Sequence, residues 1–159
     1  MRNFLLGGIL GGVIGAMVGA LGMLIAFPYL FPPAPANEQL TSIESRQLLA
    51  DGQFIHPDPD DAVHWGKGGV EIYRAAGTTE VFLKSDFKVG PGPAFHIYLS
   101  SQKGLRNKDD FDVAAALDLG KLRAFEGSQV YSTTKPLDGY NSVVVWCKAF
   151  NQLITVADL

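Results

Sequence analysis

Residues 4–27 are apolar without interruption, and no charged side chain occurs between Arg2 and Glu38. As a helix, that run spans about 36 Å at about 1.5 Å per residue, against about 30 Å of bilayer hydrocarbon. Within it Gly7, Gly11, Gly15 and Gly19 recur at every fourth position, with Gly8, Gly12, Ala16 and Ala20 in a second row beside them. Gly and Ala are frequent in membrane helices, but lipid tails give no reason to align glycine, a poor helix former with no side chain to pack. Small residues spaced by four let a second backbone approach closely. The pattern predicts a transmembrane helix over residues 1–30 that packs against another helix through Gly7, Gly8, Gly11, Gly12, Gly15, Ala16 and Gly19. The partner is a second copy of this helix or a subunit of a larger membrane complex.

Residues 31–37, with Pro32, Pro33 and Pro35, read as a stiff stalk. Thr41-Ser42-Ile43-Glu44 matches a capping box and Gly52 a stop signal, predicting a short helix over 42–51. His56-Pro57-Asp58-Pro59-Asp60-Asp61 reads as a rigid acidic loop without calcium-loop spacing. From Gly69 the period changes to two. Val70-Glu71-Ile72-Tyr73 alternates and Val81-Phe82-Leu83 follows a turn at Gly77-Thr78. Phe95, Ile97 and Leu99 share one face, with His96, Tyr98 and Ser100 on the other. Residues 101–112 are a polar loop, and shorter strands are predicted at 115–119, 121–125 and 129–132. Ser142-Val143-Val144-Val145-Trp146-Cys147 is apolar on both faces, as in a strand covered on both sides. Residues 153–156 close the chain. The predicted fold class is mainly β: an antiparallel β-sandwich or barrel of short strands over 53–159, preceded by one transmembrane α-helix and a short helix.

The apolar run is about twice the length of a signal-peptide core, although Ala34-Pro35-Ala36 offers a cleavage site. An uncleaved signal-anchor is the expectation. Arg2 is the one basic residue before Arg46, which leaves the N-terminus cytoplasmic and the C-terminal domain periplasmic or extracellular. Beyond the helix the chain carries 12 basic and 16 acidic residues with no basic run. That balance excludes nucleic acid as a partner; the expected partners are membrane lipid and other transmembrane helices.

Cys147 is the only cysteine, so no internal disulfide forms. All three methionines (Met1, Met17 and Met23) lie at or in the apolar run. A blue-copper site wants one cysteine, two histidines and usually an axial methionine, and no histidine follows Cys147. No Cys-x-x-Cys-His occurs for haem. We expect no cofactor, neither copper nor haem, and no metal. No Ser-His-Asp or paired-carboxylate spacing points to a hydrolase.

The order of the remaining motifs carries a resemblance. Gln53-Phe54, His64, Gly69-Val70-Glu71-Ile72 and Ser85-Asp86-Phe87 are followed by Gly92-Pro93-Ala94-Phe95-His96-Ile97-Tyr98-Leu99. Leu119-Gly120-Lys121-Leu122, Gly127-Ser128-Gln129-Val130-Tyr131, Tyr140 and Val145-Trp146-Cys147-Lys148-Ala149-Phe150 complete the series. This succession, over residues 53–159, resembles the DM-thirteen domain, which accompanies DOMON domains in Skeletor-type proteins and also occurs behind bacterial membrane anchors. The resemblance implies a β-rich extracytoplasmic domain whose single cysteine, here Cys147, takes part in redox chemistry or electron transfer.

Cys147 therefore has two readings. As chemistry, it is a candidate redox thiol beside Trp146, with His96 and Tyr98 lining a cleft. As structure, it alternates with Val143 and Val145 and points into a core, where a thiol behaves as a small hydrophobe. The expected function is an accessory or structural subunit of a membrane complex, held by its glycine-rich helix. The alternative is a redox or electron-transfer accessory using Cys147.

Overall fold

The computed structural model describes residues 2–41 and 45–159. Helix α1 (Arg2–Leu30) is 29 residues long and ends where Phe31 N–H reaches the Phe27 carbonyl (2.8 Å) and Pro32 and Pro33 forbid continuation. Its stretch Gly7–Leu30 has a mean hydropathy of 2.2, is exposed along nearly all its described length apart from the buried Pro28, and is long and apolar enough to cross a membrane. Beyond the neighbouring turns of the helix backbone, no described residue lies within 4 Å of where a side chain would begin at Gly7, Gly8, Gly11, Gly12, Gly15 or Gly19.

Ten strands follow among the described residues: β1 (Ala36–Asn37), β2 (Gln47–Phe54), β3 (Gly66–Ala75), β4 (Thr78–Leu83), β5 (Lys88–Val89), β6 (Phe95–Ser100), β7 (Leu117–Lys121), β8 (Gly127–Thr133), β9 (Ser142–Cys147) and β10 (Gln152–Asp158). One sheet has the order β1-β8-β4-β3-β2, with β5 beside β3; the other runs β10-β9-β6-β7. Every pairing is antiparallel except β1 with β8. The architecture is a sandwich with no closed barrel. Its sheets meet at one corner, where Ile55 N–H bonds the Val156 carbonyl (3.0 Å). The β3–β4 hairpin turns on Ala76 (φ 45°) and Gly77 (φ 82°), the two successive positive φ values that a two-residue type I′ turn requires.

Period-two patterning places Val70, Ile72, Val81 and Leu83 on the inner face of the larger sheet, against Ile97, Leu99, Val143 and Val145 of the smaller. All eight are fully buried, each contributing about 1.5–3 kcal/mol of transfer free energy. The smaller sheet is also covered on its outer face. There Tyr98, Val144, Trp146, Leu153 and Val156 pack under Leu105 and Phe111 of the segment between β6 and β7. That double cover explains why every residue of β9 is buried, as its two-faced apolar sequence predicts.

Three local expectations are corrected. Of the helix predicted over 42–51, residues 42–44 lie outside the described residues, while 47–51 belong to β2, paired with β3 from Gln47↔Arg74 to Phe54↔Gly68. Pairing along eight residues outweighs a local capping signal worth about 1 kcal/mol. The strand predicted over 121–125 ends with β7 at Lys121. Beyond it the chain crosses between sheets, and the Gln129 side chain replaces the missing ladder. It accepts the Arg123 and Ala124 N–H groups (3.1 and 3.2 Å) and donates to the Ala124 carbonyl (2.9 Å). The segment read as stalk joins the sandwich at β1, where Ala36 N–H bonds the Glu126 carbonyl (2.9 Å) and Glu38 N–H bonds the Ser128 carbonyl (3.0 Å).

Candidate functional site

Cys147 is the last residue of β9, opposite Phe95 of β6 and Gln152 of β10. Alternation with Val143 and Val145 carries its side chain into the inter-sheet core, where it is 2% exposed. The turn before β6 fits over it. Gly92 lies against the Phe95 ring, where a side chain would collide. Ala94 takes a left-handed φ of 51°, and its carbonyl accepts the Lys148 N–H (3.0 Å). This turn brings the Pro93 carbonyl to 3.2 Å from Cys147 Sγ, which donates its S–H there. Burial pushes the thiol up from its ordinary pKa, against the opposing pull of the Phe150 and Ala149 N–H groups. Cys147 is thus a protonated, enclosed thiol at neutral pH.

His96, Tyr98 and Trp146 lie on the opposite face of the same sheet. They are brought together in one aromatic row, of which Tyr98 and Trp146 are covered. The His96 and Tyr98 rings are 6.3 Å apart, Tyr98 meets Phe111 at 5.7 Å, and Phe111 meets Trp146 at 4.9 Å. Tyr98 is 3% and Trp146 2% exposed. Cys147 does not share this face.

Sequence reasoning did not find the polar cluster at the row's open end. His96 Nδ1 stands 3.0 Å from both carboxylate oxygens of Asp118, which also accepts from Gly120 N–H (2.8 Å) and Lys148 Nζ (3.2 Å). Burial works against the Asp118 charge, but these donors outweigh it and hold the carboxyl below its usual range. The Tyr98 hydroxyl is raised, by burial and by the Asp118 charge. The alternation of Leu117, Asp118 and Leu119 signals that Asp118 faces away from the inter-sheet core. Only the β6–β7 register, Tyr98↔Asp118, sets it beside His96.

The other histidines stand apart. His64 Nδ1 meets Asp61 at 2.6 Å and His56 Nε2 lies 2.7 Å from the Asp61 carbonyl, inside the acidic loop. Among the described residues no group of three or more His, Cys, Asp or Glu side chains converges as a metal would need. A second cluster ties β1 to the sandwich. Glu38 accepts two bonds from Arg123 (2.7 Å each) and one from Val130 N–H (2.8 Å), and Arg123 lies 4.2 Å over the Tyr131 ring.

A protein-family model described as electron transfer DM13 matches residues 58–159, more than half of the chain. No curated protein and no solved structure matches it.

Proposed function

The chain belongs to the electron transfer DM13 family, and on that premise we propose that it is a membrane-anchored, extracytoplasmic accessory subunit of an electron-transfer assembly. In this reading α1 crosses the bilayer and packs its small-residue rows against a partner helix, holding the sandwich at the membrane surface. One observation carries the reading: Gly7, Gly8, Gly11, Gly12, Gly15 and Gly19 of α1 meet no described residue beyond their own helix. Close backbone approach is the one packing advantage such rows offer in lipid. The test is native mass spectrometry of the full chain extracted from its own membranes in mild detergent. Wild type is expected in a larger assembly with other subunits, and Gly11→Leu with Gly15→Leu is expected to release it as a folded single chain. Wild type recovered alone, or the double variant retained, overturns the reading.

A second reading, redox chemistry at Cys147, is favoured by the electron-transfer description of the matching family, although burial holds this thiol protonated. It predicts that Cys147→Ser folds normally, with the Pro93 carbonyl accepting the new hydroxyl, yet abolishes electron transfer by the assembly. The accessory reading predicts unchanged electron transfer.

A further inference from the structure

A cavity of about 890 Å³ lies between the C-terminal turns of α1 and the end of the sandwich nearest Cys147. Met23, Leu24 and Phe27 form one wall, and Phe95, Leu122 and Phe125 form the other. Helix α1, at 29 residues, is about 43 Å long, some 13 Å more than the hydrocarbon it would cross. With the sandwich outside the bilayer, that excess would fall to the last turns, which would stand at headgroup level and bring the groove within reach of membrane amphiphiles. Pro93 and Ala149 line it, with Cys147 one layer behind.

The polar groups on the wall narrow the occupant. No carboxylate lines the groove. Of its two cations, Arg123 is already neutralised by Glu38 at 2.7 Å. That leaves the Lys121 ammonium, too little to select a phosphate headgroup over a neutral one. His96 also lines the groove; Asp118 holds its Nδ1, and its second ring nitrogen, Nε2, has no hydrogen-bond partner among the described residues. A flat neutral ring bearing carbonyl or hydroxyl oxygens and a long apolar tail fits this set: aromatic walls for the ring, a hydrogen-bonding imidazole, and a mouth toward lipid.

We propose that this groove binds the ring of an isoprenoid quinone or quinol drawn from the bilayer, with His96 Nε2 hydrogen-bonded to one ring oxygen. The inference rests on the electron-transfer reading above and adds to it the membrane carrier that the assembly would meet. It is tested by titrating the full chain in nanodiscs with decylubiquinone and with menaquinone-4, reading saturable binding by calorimetry. Binding of at least one is expected. Leu24→Trp, which fills the groove from the helix side at a position outside the small-residue rows, is expected to abolish it. His96→Gln is expected to weaken it about tenfold, the effect of one lost hydrogen bond. Absence of saturable binding, or binding untouched by Leu24→Trp, overturns the inference. So does equal competition by phosphatidylglycerol, which would make the groove a lipid site. Failure here with the native assembly intact leaves the accessory reading standing, and loss of the assembly with quinone binding intact does the reverse.

Discussion

Tyr131 and Gln129 illustrate how single polar residues hold a β-sandwich together where the ladder gives out. The Tyr131 hydroxyl donates to Gln129 Oε1 (3.0 Å), and that same oxygen serves the N–H groups of Arg123 and Ala124. Burial pushes the Tyr131 hydroxyl up to about 12, from an ordinary 10. The folded state thus favours the neutral phenol, so its contribution to stability is complete below pH 10 and is lost as pH rises from 10 through 12. A spectrophotometric titration should show one tyrosine ionising only near pH 12, with the urea midpoint falling across that window and recovering in Tyr131→Phe. A Tyr131 that titrates near 10 in the folded protein would remove the basis for this expectation. Cys147 makes the complementary point. Its direction is readable from alternation with Val143 and Val145, but the Pro93 carbonyl that receives its S–H comes from a turn 54 residues earlier, and no local pattern announces it.

At the scale of elements, the strands that sequence patterning predicts best are those whose own apolar period matches the faces they bury. β3, β4, β6, β8 and β9 all fall where alternation or a two-faced apolar run places them. β2 and the stretch after β7 do not, since β2 is chosen by its partner β3 and the crossing segment by the Gln129 side chain. The polar loop between β6 and β7 is legible as a loop, but not as a cover. Its Phe111 packs 4.9 Å from Trp146 and 5.7 Å from Tyr98, although charged and polar residues surround it in sequence. Phe111→Ala should cost about 3–5 kcal/mol, as removal of a buried aromatic does. It should also shift the Trp146 emission to the red as water reaches the row. A native-like emission and midpoint would show that the loop does not seal that face.

For the whole molecule, the two core clusters contain no residue of α1. The sandwich therefore needs no help from the helix to bury its apolar faces. A chain lacking residues 1–30 should be water-soluble and melt cooperatively, with the tryptophan emission of the full-length protein; aggregation or a molten core would contradict that independence. The sequence by itself determined the anchor-like helix and the mainly β character of the rest. Each of these depends on the period of apolar residues along one segment. Tertiary structure alone decided that the β region is an open sandwich, that His96 meets Asp118 and Lys148, that Glu38 clamps Arg123, and that a groove lies under the end of α1. Those features join segments distant in sequence, 22 residues apart for His96 with Asp118 and 85 for Glu38 with Arg123. Their energy exists only once the strands are in register, so no local periodicity encodes them.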